Sequence, residues 1–350
     1  MKKLAKILLM TVLVLLFTVP TYAQESLWDK LNNQVITLYQ QERYSEAAKV
    51  AEEALKVAEK TFGLDHPDVA TSLNNGGINI MKPTTTTEKL LFSTIRLQTS
   101  QGVGTGFYFL FELDDNKKVP VFITNKHVIN TPNEKVSFSL HFAENDRLSK
   151  DVITLTYESE WIFHDKYDLA FTFANPLFEQ IKRKFGKNVF IIPLTEDLIW
   201  DNERLESLTA VENVLMYGYP IGLYDERNVL PLIRSGVTAS HPAIDFNGEK
   251  IGVVDMACFP GSSGSPILIV NEGSYTDKKR NAVVIGSRVI FLGILFGGPV
   301  YNSEGKIVVK DIPTRQEVVS ITPQMINLGY YIKSEVILDF KEKIEGIISK

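Results

Sequence analysis

A single cysteine, Cys258, in 350 residues excludes an intrachain disulfide framework. A chain of this length can bury an adequate core without such staples. A basic excess is missing as well: 37 Lys and Arg face 42 Asp and Glu, for a formal net charge of −5, and no basic tract occurs. Nucleic acid is therefore not an expected partner. Histidine is scarce, with His66, His127, His141, His164 and His241. His164 has Asp165 beside it but no second ligand cluster, so neither a metal nor a cofactor is expected.

Long apolar runs are absent after the first 19 residues, so no later stretch is expected to cross a bilayer. The first 23 residues carry Lys2, Lys3 and Lys6, an apolar run from Ile7 to Val19, and Pro20-Thr21-Tyr22-Ala23. This is a signal-peptide layout, with cleavage expected after Ala23. The mature chain would then have a formal charge of −8 and be exported, periplasmic or secreted. Membrane attachment is expected only if the signal stays uncleaved.

Residues 24–80 show helical periodicity with an internal echo, Leu31-Asn32-Asn33 returning as Leu73-Asn74-Asn75. Ala47, Ala51 and Ala54 are small enough to let two antiparallel helices approach closely. With Asp65-His66-Pro67-Asp68, the segment resembles a tetratricopeptide repeat of the kinesin-light-chain type. Gly76-Gly77 interrupts the second repeat as it starts, which implies a helical hairpin rather than a solenoid. A protein partner docking on this hairpin and a plain spacer role both stay open. Residues 81–87, with Pro83 and four consecutive threonines, read as an exposed linker.

From residue 88 the period becomes two. Strands are expected over 90–97, 103–112, 119–124, 136–142 and 152–157. A second group covers 214–219, 229–234, 251–256, 267–270, 283–296 and 329–332. An amphipathic helix is expected from Ser334, with Val336, Phe340, Ile344 and Ile348 on one stripe.

Three motifs stand among these strands: Asn125-Lys126-His127 after an apolar run, Tyr167-Asp168-Leu169, and Pro260-Gly261-Ser262-Ser263-Gly264-Ser265-Pro266. A serine hydroxyl attacks a carbonyl only when a base takes its proton, and the base needs an acceptor to fix its tautomer. Ser263, His127 and Asp168 suit those roles. Serine comes last, which disfavours the α/β-hydrolase order. In motif order and spacing, residues 88–350 resemble the trypsin-like (chymotrypsin-fold) serine peptidases, of the bacterial, disulfide-free kind.

That resemblance implies a mainly β fold, a chymotrypsin-like double β-barrel of two six-stranded bodies, here with an N-terminal α-helical hairpin and a C-terminal helix. It implies a serine endopeptidase acting on protein or peptide substrates through an acyl-enzyme. The oxyanion would be bound by the backbone N–H groups of Gly261 and Ser263. Ala257 would form the base of the primary specificity pocket, and Phe296 and Gly297 its wall. Alanine supplies no carboxylate, so a small or medium apolar substrate side chain is expected; Asp255 lies close in sequence. Ser262 replaces the family's aspartate before the nucleophile, which excludes activation through an ion pair with a new N-terminus. Ser265 replaces its second glycine and puts the packing of the loop in question. Cys258 is read as a packing residue. The alternative is a catalytically silent, peptidase-like binding module.

Overall fold

The computed structural model describes residues 27–62 (except 39 and 42), 83–113, 117–144, 147–306 (except 280), 319–325 and 327–349. The signal segment, the Asp65-His66-Pro67-Asp68 motif and the second repeat lie outside the described residues. The chain divides into two compact units, residues 1–82 with 144–152, and residues 83–143 with 153–350.

In the first unit, helical residues 27–38 (α1) run against Tyr44–Phe62 (α2). The pairing is antiparallel: Trp28, early in α1, packs on Ala54 and Ala58, whereas Val35 and Leu38 pack on Ala47 and Ala51. A buried alanine on each turn of α2 admits the larger side chains of α1, which is the close approach its small residues predict.

Near the start of the second unit, the short helix α3 (Thr86–Leu90) takes up the last two residues of the segment expected to be a linker. Thr85 and Glu88 form a reciprocal capping box, and Leu90 is buried. The strands then follow as β1 (Thr94–Thr99), β2 (Gly102–Glu112), β3 (Lys118–Thr124), β4 (Lys135–Glu144), β5 (Arg147–Glu158), β6 (Ile162–Phe163), β7 (Ala170–Phe173), β8 (Asn188–Phe190) and β9 (Leu194–Thr195). They form one sheet in the order β5-β4-β1-β2-β3-β7-β6, with β8 added to β4 and β9 to β2. A separate closed barrel is made by β10 (Asn213–Gly218), β11 (Leu232–Thr238), β12 (Ile251–Asp255), β13 (Pro266–Asn271), β16 (Arg288–Gly297) and β19 (Leu328–Lys333). Two-stranded ribbons join β14 (Ser274–Asp277) to β15 (Ala282–Ile285) and β17 (Val300–Lys306) to β18 (Val319–Met325).

This is the mainly β fold expected, with one body a closed six-stranded barrel as expected and the other a nine-stranded sheet in place of a second six-stranded barrel. Three cores account for it. Phe122, Phe138, Leu140 and Trp161 fill one side of the first sheet. Met216, Val254, Ile267 and Leu292 fill the barrel. Between the two, Phe107, Phe109 and Val121 of the sheet meet Leu268, Phe291 and Ile332 of the barrel, sealed by Phe340 and Ile344 of the C-terminal helix. Each such side chain contributes roughly 1.5–3 kcal/mol when fully buried.

Several boundaries differ from the sequence expectation. The strand expected over 229–234 starts at Leu232, because the Asp225 carboxylate accepts from the N–H groups of Arg227 and Asn228 and closes a turn through Leu230. Strand 283–296 breaks in two around Gly286, whose N–H donates to Gly273 O. The C-terminal stripe begins as a 3-10 turn, Ser334–Asp339, before the helix Phe340–Ile348, and Ile348 is exposed while Val336, Phe340 and Ile344 are buried. An unexpected helix, Asn175–Phe185, buries Leu177 and Ile181 and ends on left-handed Gly186.

The capping box dictates where the second unit can be cut. A chain starting at Pro83 keeps Thr85 and should unfold in one cooperative transition. A chain starting at Thr87 loses the cap, which costs about 1 kcal/mol; calorimetry should register a drop of roughly 2–4 °C in Tm. Equal Tm values would show that the cap contributes nothing.

Candidate active site

His127 sits on a four-residue helix, Lys126–Ile129, directly after β3, and the buried Val128 and Ile129 anchor that turn. Its Nδ1 lies 2.5 Å from Asp168 Oδ2, and its backbone N–H donates to Asp168 Oδ1 at 3.1 Å. The carboxylate thus fixes both ring and backbone. Because Nδ1 faces a carboxylate it carries the proton, which leaves Nε2 as the basic nitrogen.

Asp168 is presented by a turn whose geometry depends on its neighbours. Asn125 Nδ2 donates to the Asp168 carbonyl at 2.8 Å. His164 Nδ1 accepts the N–H groups of Lys166 and Tyr167 at 3.1 and 3.0 Å, so its Nε2 is the donor to Asp339 Oδ2 at 3.1 Å. Lys126 Nζ donates to the His164 carbonyl at 2.6 Å. His164 is therefore structural, and what it holds is the aspartate turn. Burial acts to raise the Asp168 carboxyl, but hydrogen bonds and charge attraction from His127, with help from Lys126, outweigh it and hold the group below the ordinary carboxylate range.

The serine loop offers three hydroxyls and exposes one. Ser262 and Ser265 are fully buried, whereas Ser263 is partly open to solvent. Gly261 and Gly264 have φ of +87° and +86°. A Cβ on Gly261 would come within 2.6 Å of Tyr219 O, and one on Gly264 would strike Thr105 O. Only glycine meets both requirements.

The Pro260 carbonyl accepts from Ile221 N–H at 2.5 Å. Carbonyl and N–H of a trans peptide point in opposite directions, so the Gly261 N–H is turned away from Ile221. Ser262, Gly264 and Ser265 each donate to a backbone carbonyl. Among the described residues, the Gly261 and Ser263 N–H groups have no such acceptor. Two free donors beside the accessible hydroxyl make an arrangement suited to an oxyanion. Among the described residues, no hydrogen bond joins Ser263 Oγ to His127. The question over Ser265 is answered by Gly218, where a Cβ would collide with the Ser265 hydroxyl.

Of the residues assigned to the pocket, Ala257 lies just before the loop, and its carbonyl accepts from Arg234 Nη1 at 3.1 Å. Leu295, next to Phe296, exchanges hydrogen bonds with the loop: Gly264 N–H donates to Leu295 O at 2.8 Å and Leu295 N–H to Ser265 O at 3.0 Å. The space where a Gly297 side chain would stand is open. Asp255 is exposed on the outer face of β12, away from the buried Val254 and Met256. Burial pushes the Cys258 thiol up to about 11, with Arg234 pulling the other way, so it is a protonated packing group at neutral pH.

Thr105, fully buried, escaped the sequence reading. Its N–H donates to Ser263 O at 2.9 Å, its hydroxyl to Gly261 O at 2.9 Å, and it accepts the Tyr219 N–H at 3.1 Å. Thr124 Oγ1, three residues before His127, donates to Thr105 O at 2.6 Å. Position 105 lies between two glycines required by packing against Val128 and Leu97, and that Gly-Thr-Gly pattern was the one available signal.

The tetratricopeptide-repeat family matches residues 30–68, most of which form the helical hairpin. No curated protein matches the chain. Among solved structures, the chain is similar to the inactive form of the Rv3671c protease, with 14% identity over 76% of this chain and 99% of that one and a TM-score of 0.36. A serine-to-alanine variant of Rv3671c from M. tuberculosis H37Rv, also in an inactive form, gives 13%, 73%, 87% and 0.35. A scabies mite inactivated protease paralogue gives 12%, 77%, 100% and 0.35.

Two substitutions probe this geometry. Asp168→Asn keeps the shape but presents an amide to Nδ1 and favours the wrong tautomer, so any turnover that uses His127 as its base should drop by about 10³–10⁴. Thr105→Val strands Gly261 O and Tyr219 N–H in a buried site, a cost of about 1–3 kcal/mol. Urea unfolding should show that loss, with kcat falling more than KM changes. An unaltered urea midpoint would refute the Thr105 role.

Proposed function

We propose that the chain is an exported serine endopeptidase that hydrolyses peptide bonds through an acyl-enzyme. Ser263 is the nucleophile, His127 the general base and then acid, and Asp168 the group that orients the imidazole. The N–H groups of Gly261 and Ser263 stabilise the tetrahedral oxyanion, each donor contributing about 10²–10³ in rate. The observation that carries this reading is one accessible serine between two N–H groups with no acceptor, in a unit that also holds an imidazole locked by a carboxylate. Export rests on the N-terminal sequence, and the helical hairpin is proposed to bind a protein partner or substrate.

Ser263 Oγ has no hydrogen bond to His127, and that favours a second reading, a peptidase-like binding module. A fluorophosphonate probe separates the two, because only an activated serine is labelled. Wild type and Ser262→Ala should be labelled, and Ser263→Ala should be silent, with peptide hydrolysis down by several powers of ten. Equal labelling of Ser263→Ala, or none of wild type, would defeat the peptidase reading.

A further inference from the structure

Arg234 stands on β11 opposite Met216 of β10, on the same face as Gly236, whose missing side chain makes room for Met256. It therefore points toward the barrel interior, to the end where Ala257, Cys258 and Phe259 lead into the serine loop. Its Nη1 donates to Ala257 O at 3.1 Å, and the guanidinium lies 4.9 Å from the centre of the Phe259 ring. Its Nε is buried with no acceptor. Among the described residues, Nη2 makes no hydrogen bond. Among the described residues no carboxylate forms an ion pair with it.

Arg288, the buried arginine of the same barrel, shows the contrast. Its Nη2 meets Glu212 Oε2 at 2.8 Å and its Nε meets Asn271 Oδ1 at 2.6 Å. A half-buried guanidinium without an anion is costly unless something supplies one. Asp255, the acid closest in sequence to Ala257, lies on the exposed outer face of β12.

The primary pocket that the peptidase resemblance implies would lie between the segment 257–260, which enters the loop, and Leu295–Gly297, where Leu295 is hydrogen-bonded to the loop. The space beside Gly297 is open, and Arg234 supplies the charge at the Ala257 end. We infer that this pocket selects an acidic side chain, so that the protein cleaves after glutamate or aspartate, with Arg234 as the specificity-determining residue. This inference rests on the peptidase reading, and it replaces the expectation of an apolar side chain that alanine at 257 suggested. Alanine leaves the floor neutral, and the arginine arrives from a strand 23 residues away in sequence. A guanidinium is suited to carboxylate recognition, since its charge-assisted hydrogen bonds are short and strong.

The test uses the full chain and peptides that differ only before the scissile bond, with Glu, Gln, Leu or Lys there. Wild type should cleave the Glu peptide faster than the isosteric Gln peptide by about tenfold or more in kcat/KM. In Arg234→Gln that ratio should collapse toward one, and Arg234→Lys should restore part of it. A purely structural role for Arg234 would lower all peptides alike and leave the ratio intact. If Arg234→Gln fails to fold, the wild-type ratio decides. A second readout needs no catalysis: calorimetric binding of product peptides ending in Glu or Gln, where the Glu product should bind more tightly. Fluorophosphonate labelling without a Glu preference would overturn the acidic pocket alone. Selective binding of the Glu product by a protein that never labels would overturn the peptidase reading and leave the pocket standing.

Discussion

The arrangement depends on the hydrogen bonds of one buried threonine. Thr105 belongs to the first sheet, yet it holds the carbonyls or N–H groups of Gly261, Ser263 and Tyr219, all from the second body. Thr124, which ends the strand that delivers His127, bonds to Thr105 in turn. The segments bearing His127 and Ser263 are therefore referenced to the same two adjacent strands. The apolar layer beneath, where Phe107 meets Phe291 edge to face at 5.4 Å between centroids, holds the two bodies in register. Burial supplies most of the energy and the threonine supplies the alignment.

The pairing of His127 with Asp168 was more legible in the sequence than the contacts that hold the serine loop. His127, Asp168 and Ser263 could be picked out because each stands at the edge of an apolar run and their order is informative. The structure pairs the first two and leaves Ser263 as the accessible serine of its loop. The contribution of Thr105 was hidden, since its bond to Gly261 spans 156 residues and a threonine in a strand reads as ordinary β propensity. Arg234 was hidden for the same reason, and so the pocket was judged from residue 257 alone. The misplaced strand at 229–234 has a local cause: Asp225 captures backbone N–H groups that a ladder would otherwise use. The helix at Asn175 was missed because Asn-Pro reads as turn chemistry, although proline is well tolerated in a first helical turn.

Strain is stored in the turn Pro220–Gly222, which packs against the serine loop beside the Gly261 N–H. Ile221, a β-branched residue, has φ of +54°, a conformation costing of order 1–3 kcal/mol. Its N–H is the group that holds the Pro260 carbonyl and so turns the Gly261 N–H the other way. Its side chain is 65% exposed, so the strain is not offset by packing. An unfavourable backbone retained for one hydrogen bond beside two free donors is consistent with preorganisation of that site.

Neutral groups do this work throughout. Ser262 offers no carboxylate to a new N-terminus, and its hydroxyl is buried without a partner. The loop is held instead by Ile221 N–H, Thr105, Leu295 and the left-handed glycines, none of which titrates near neutral pH. An oxyanion site organised by an α-amino group weakens as that amine loses its proton near pH 8, and this loop contains no such dependence. The charge that does matter is on Asp168. Its carboxyl is held below the ordinary range in the folded chain, so the stabilisation from its pairing is present above the unfolded pKa and is lost as pH falls through the folded one. Acid, rather than base, is the side on which this site is built to fail.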